Sequence, residues 1–117
     1  MTGETGVLGR LEGAIAARRG TSPDRSYTAR LLAGGVAACG AKVTEEAAEV
    51  VAAAAAEPAD RVVAEAADLV YHLLVLLAAR DVTLGAVEAE LARRFGISGL
   101  DEKAARGGEA PRGEAAR

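Results

Sequence analysis

Residues 61–80 carry Val62, Val63, Leu69, Val70, Leu73, Leu74 and Leu77, a strongly apolar run that predicts a helix at the centre of the protein. Its most apolar portion, residues 69–79, is about half the roughly 20 residues a bilayer span needs. It also follows a stretch bearing Glu65 and Asp68. A buried helix is therefore expected, with no membrane association, and the rest of the chain has to pack around it.

With 117 residues the chain is expected to form one domain, residues 1–106, and helical protomers of this size often bury more surface by associating. Half the residues are apolar, but these are mainly Ala, Val and Leu, with one Phe, two Tyr and no Trp. Small aliphatic side chains favour closely packed helices. A net charge of −3 gives no general attraction to nucleic acid, so no nucleic-acid partner is expected. The single cysteine, Cys39, has no partner for an intramolecular disulfide and suits a reducing cytosol. The opening MTGETGVLGRLEGAIAARRG has helical spacing and lacks a signal-peptide core, so a cytoplasmic protein is expected.

Four further helices are predicted around the central one. Leu8, Leu11 and Ile15 share one helical face before Gly20. After a polar turn, Asp24 or Ser26 caps a second helix carrying Tyr27, Leu31 and Leu32, whose end is blurred by Gly34 and Gly35. Residues 41–56 form a third, broken at Pro58, with Asp60 as the cap of the central helix. Leu84, Val87 and Leu91 mark a fifth, ending at Gly96. The expected fold is all-α, a compact bundle of about five helices completed by homodimerisation. From residue 107 the chain holds too little apolar surface to offset its entropy, and a disordered tail is expected.

The chemistry-bearing feature is acidic. Glu46 and Glu49 are three apart on the third helix, and Glu65 and Asp68 are three apart on the central one, so each pair projects from one face. An antiparallel hairpin brings the pairs together. Four converging carboxylates repel one another unless a hard divalent cation neutralises them. Magnesium fits, with oxygen ligands at about 2.0–2.1 Å, retained waters and a habit of binding substrate phosphates. Such a site suits metal-assisted hydrolysis of a phosphoanhydride. Glu45, rotated about 100° from Glu46, is the candidate for orienting or deprotonating the attacking water. A solvated acidic face balanced by Arg61 and other cations explains Glu45 alone, but explains Glu65 and Asp68 poorly, since they open a very apolar helix.

The pattern Glu45-Glu46-x-x-Glu49, fifteen intervening residues, then Glu65-x-x-Asp68 resembles the signature of the all-alpha nucleoside triphosphate pyrophosphohydrolase superfamily. The words SYTARLL, KVTEEAAEVV, EAADLVYHLLVLL and GISGLDEKAAR look like the phosphoribosyl-ATP pyrophosphohydrolase family in particular, over residues 8–106. The resemblance implies a magnesium-dependent homodimer that cleaves phosphoribosyl-ATP between its alpha and beta phosphates, giving phosphoribosyl-AMP and pyrophosphate in histidine biosynthesis. It also implies that Glu46, Glu49, Glu65 and Asp68 are metal ligands, with Glu45 beside them. Lys42 then faces the phosphates, although an i,i+4 helix pair with Glu46 accounts for it equally. Tyr27 and Arg30 contact the nucleotide or phosphates in this reading, and helix packing or solvation in the plainer one.

His72, four after Asp68, reads as a satisfied core histidine, and Cys39 as a small buried apolar residue. The stretch AGGVAACGA before Lys42 departs from the family pattern in being so small and glycine-rich. No cyclohydrolase-like segment precedes the domain, so a stand-alone enzyme is expected. Two other readings compete: a house-cleaning nucleoside triphosphate pyrophosphohydrolase with the same metal chemistry, and a non-catalytic helical dimer whose acids are surface charges.

Overall fold

The computed structural model describes residues 6–95, and every regular element among them is a helix. In chain order these are α1 (Val7–Arg18), α2 (Tyr27–Ala56), α3 (Ala59–Ala79) and α4 (Leu84–Arg93). Helices α1, α2 and α3 form one compact unit that ends at Leu84, whereas α4 belongs to a second and is described by itself. The tail expected from residue 107, the stop at Gly96 and the GISGLDEKAAR words lie outside the described residues.

Four helices stand where five were expected, because the predicted second and third are joined without a loop. Gly35 takes φ 77° and ψ −169°, a backbone region essentially reserved for glycine, and the chain is helical on both sides of it. Gly34 is constrained by space: a Cβ there would lie 2.6 Å from the Cβ of Ala38. The small, glycine-rich stretch before Lys42 is thus a break within α2. Cys39, fully buried as expected, donates its thiol hydrogen to the Leu31 carbonyl (3.3 Å) and so links one side of the break to the other.

Ser26 caps α2, its hydroxyl accepting from the Ala29 N–H at 3.0 Å. Only Glu57 and Pro58 separate α2 from α3. Pro58, at φ −64° and ψ 160°, occupies the cap position that the sequence suggested for Asp60. Its fixed φ suits the entry to a helix, and its missing N–H is no loss there. Asp60 falls instead in the first turn, where its carboxylate meets the positive end of the helix dipole. The short connection makes α2 and α3 an antiparallel hairpin, in which Tyr27 near the start of α2 meets His72 late in α3.

The core joins all three helices: Ile15 from α1, Leu31 and Cys39 from α2, and Leu74 and Val75 from α3. Leu11, Leu32, Tyr71 and Leu77 pack around them. Each large aliphatic side chain buried here contributes about 1.5–3 kcal/mol. Beyond α1, the Arg19 guanidinium donates to the Ala78 carbonyl and lies 3.7 Å from Asp81, which has φ 62° after the end of α3. The Leu84 N–H donates to the Glu12 carboxylate at 2.8 Å. These links hold the end of α3 against α1.

By length and composition α3 is apolar enough to cross a membrane. Its middle nevertheless carries Glu65 and Asp68, and it supplies core residues to both other helices of the unit. Charged groups at the midpoint of a span are costly, and a core helix meets the same apolar criterion.

Candidate active site

The hairpin sets two acidic faces opposite each other. Glu65 and Asp68 lie one turn apart on α3, and Glu46 comes from α2; one carboxylate oxygen from each lies within 4.8 Å of the other two. The side chains of Glu46 and Glu65 are only 12% and 15% exposed, so they are well withdrawn from bulk water. Cations attend both. Lys42 Nζ sits 3.4 Å from Glu46 and 3.2 Å from Glu45, and Arg61 pairs with Glu65 and, at 3.5 Å, with Glu57. Among the described residues no cation pairs with the Asp68 carboxylate.

Glu49, the other predicted ligand on α2, is exposed one turn beyond Glu46 and is not one of the three converging groups. Glu45 is exposed and tied to Lys42, whose pKa is raised first by the hydrogen bond to Glu45. Tyr27 belongs to the same neighbourhood. Burial pushes its hydroxyl above the usual phenol range, the positive charge of Lys42 opposes this, and Glu46 and Glu45 reinforce it. Arg30 is exposed one turn after Tyr27, with no hydrogen bond or ion pair to its guanidinium among the described residues.

An oxygen-only set of three convergent carboxylates, flanked by a lysine, is the donor chemistry of a hard divalent cation that also carries phosphate. Octahedral ligands at about 2.1 Å from such an ion stand about 3.0–4.2 Å apart, close to the observed spread. The family profile of phosphoribosyl-ATP pyrophosphohydrolase matches residues 8–95, which includes all of these groups. The chain belongs to the phosphoribosyl-ATP pyrophosphohydrolase family.

Individual relatives agree. A phosphoribosyl-ATP pyrophosphatase of Dinoroseobacter shibae is 56% identical over 100 residues, covering 86% of this chain and 98% of the relative. One from Erythrobacter litoralis is 58% identical, over 86% of this chain and 97% of its own length. A third, from Parvibaculum lavamentivorans, is 53% identical over 92% of this chain and 98% of its own.

Within this family member, the structure adds contacts that spacing did not reveal. Tyr27 Oη lies 2.9 Å from His72 Nε2, and the Thr28 and Tyr71 hydroxyls form a parallel bond between the same two helices. His72 is buried and satisfied, as expected, but through a backbone carbonyl and a tyrosine and not through the Asp68 carboxylate. No local signal pairs residues 45 positions apart, and the register read from the acidic pairs does not predict that meeting, since it would carry Tyr27 past the end of α3.

Proposed function

We propose that this chain hydrolyses the alpha–beta phosphoanhydride of phosphoribosyl-ATP to phosphoribosyl-AMP and pyrophosphate, as a step of histidine biosynthesis, a reading supported by its relatives' name, phosphoribosyl-ATP pyrophosphatase. The observation that carries this reading is the convergence of Glu46, Glu65 and Asp68 between α2 and α3. These three, with Glu49 one turn along α2, would hold Mg²⁺, which neutralises charge on the phosphates and favours a water nucleophile. Lys42, already seated between Glu45 and Glu46, swings its ammonium to the phosphates when they enter and relieves their mutual repulsion with the carboxylates.

Glu45 is the residue we assign to the water. Released from Lys42, it accepts the proton as water oxygen bonds to phosphorus and the bridging oxygen leaves on the other phosphate. Tyr27 and Arg30, one helical turn apart at the start of α2, bind the rest of the substrate. The assembly is a homodimer, supported by the apolar residues that α3 leaves uncovered, and it works in the cytoplasm.

Pyrophosphate release is the deciding measurement, run with phosphoribosyl-ATP and with ordinary nucleoside triphosphates, with and without Mg²⁺. Preferential, Mg²⁺-dependent turnover of phosphoribosyl-ATP is expected. Preference for a free nucleoside triphosphate would move the chain to a house-cleaning role with the same metal site, and turnover unaffected by chelation would remove the metal.

A further inference from the structure

His72 is 6% exposed, and both of its ring nitrogens are engaged without meeting a carboxylate. Nδ1 lies 2.8 Å from the backbone carbonyl oxygen of Asp68, and Nε2 lies 2.9 Å from the Tyr27 hydroxyl. A carbonyl oxygen only accepts, so Nδ1 carries the hydrogen, and in the neutral ring Nε2 offers a lone pair. The Tyr27 hydroxyl must then donate its single hydrogen to Nε2. Because burial holds that hydroxyl above the ordinary phenol range, it keeps the hydrogen at neutral pH. Toward anything on its other side it presents lone pairs alone.

The surroundings fix the rings as well as the hydrogen. Tyr71 stacks against Tyr27 with centroids 6.4 Å apart and meets the His72 ring edge-on at 4.8 Å, while its hydroxyl is bonded to Thr28. Tyr27 is nevertheless 44% exposed, so the residue is held from behind and open in front. A phosphate oxygen is an acceptor, and an acceptor facing the lone pairs of Tyr27 gains no hydrogen bond.

We propose that His72 is a positioning residue for Tyr27: by taking the phenolic hydrogen it makes Tyr27 an acceptor for a hydroxyl or amino group in the nucleoside part of the substrate, and not a donor to the phosphates. This rests on the reading of Tyr27 as a substrate contact given above. It separates the work of the site, leaving the phosphates to Lys42 and the carboxylates and the nucleoside to the Tyr27 end of the hairpin.

The test is steady-state kinetics with pyrophosphate as a competing, phosphate-only ligand, on Tyr27→Phe, His72→Leu, their double variant and His72→Gln. Thermal unfolding checks that each is folded. Tyr27→Phe and His72→Leu are each expected to raise KM for phosphoribosyl-ATP about tenfold, the scale of one hydrogen bond. kcat and the pyrophosphate inhibition constant stay unchanged. The double variant is no worse than Tyr27→Phe alone, since His72 acts only through Tyr27. His72→Gln, whose side-chain oxygen reaches toward the Nε2 position, restores most of the loss. Where His72→Leu does not fold, His72→Asn replaces it, keeping a donor to the Asp68 carbonyl without reaching Tyr27.

An unchanged KM in Tyr27→Phe removes the substrate contact and the proposal with it. A raised KM in Tyr27→Phe with His72→Leu at wild-type values, or losses that multiply in the double variant, overturns the positioning role and leaves the contact standing. A pyrophosphate inhibition constant that rises in Tyr27→Phe makes Tyr27 a phosphate donor and overturns the acceptor assignment.

Discussion

Glu46, Glu65 and Asp68, the carboxylates of the proposed metal site, differ in what neutralises them in the free protein. Lys42 attends the first and Arg61 the second, whereas Asp68 brings its charge to the cluster without a cation among the described residues. Asp68→Asn therefore removes repulsion at little cost. Allowing for solvent screening at this exposed residue, the metal-free variant is expected to be more stable by roughly 0.5 kcal/mol, a small rise in Tm seen in chelator. Activity should move the other way and by far more, falling at least about 100-fold, since even residues that only orient a metal ligand cost about 10–100-fold. Thermal unfolding and pyrophosphate release on one preparation check both. The acidic half of the site was legible because i,i+3 spacing on two helices survives into three dimensions as two faces. Glu49 shows the limit of that logic: the same spacing leaves its carboxylate exposed, because spacing fixes a face of the helix and not a rotamer. His72 and Tyr27 were read apart, since nothing local in a sequence pairs a ring nitrogen with a hydroxyl on another helix.

At the scale of the helix, the Gly35 break decides how the start of α2 meets α3 while its later turns carry Glu46. An alanine at Gly35 has to adopt φ 77° and ψ −169° with a Cβ, at a cost of about 1–3 kcal/mol. Gly35→Ala is expected to lower chemical-denaturation stability by that amount. Alanine at Gly13, inside α1 and with open space around its Cβ position, should instead be neutral or stabilising. Paired glycines were ambiguous in the sequence because they serve helix ends and helix breaks alike. Only the backbone at Gly35, which brings Ala38 to 2.6 Å from the site of a Gly34 Cβ four residues earlier, shows which. Helix α4 offers a separate test. Arg93 and Arg94 both hydrogen-bond Glu90 and lower its pKa from 4.5 to about 2. A depressed carboxylate pKa stabilises the folded form above the unfolded value, and that contribution disappears as pH falls through the folded one. NMR titration of the Glu90 side chain should give a midpoint near 2, and Arg93→Ala with Arg94→Ala should return it toward 4.5.

For the whole molecule, the decisive feature is how little of α3 one protomer covers. Of its 21 residues only His72, Leu74 and Val75 are buried, while Val63, Val70 and Leu73, spaced seven and three apart along one stripe, remain exposed. Val36 and Val51 of α2 are exposed as well. Such an apolar stripe on a core helix belongs in an interior, and the described helices leave it uncovered. In the proposed homodimer a second copy of the hairpin would supply the missing cover, and a stable interface of this kind buries about 1,200–2,000 Å² in total. Light scattering should therefore give twice the 11.8 kDa chain mass, and Tm should rise with protein concentration, as it does when folding and association are linked. Leu73→Glu places a charge in that interface without touching the carboxylate cluster, so it is expected to yield monomer with a lower, concentration-independent Tm. If Leu73→Glu remained a dimer of unchanged stability, this stripe would not be the interface. The apolar residues of α3 would then need another cover, to be sought by the same substitution at Val36 and Val51.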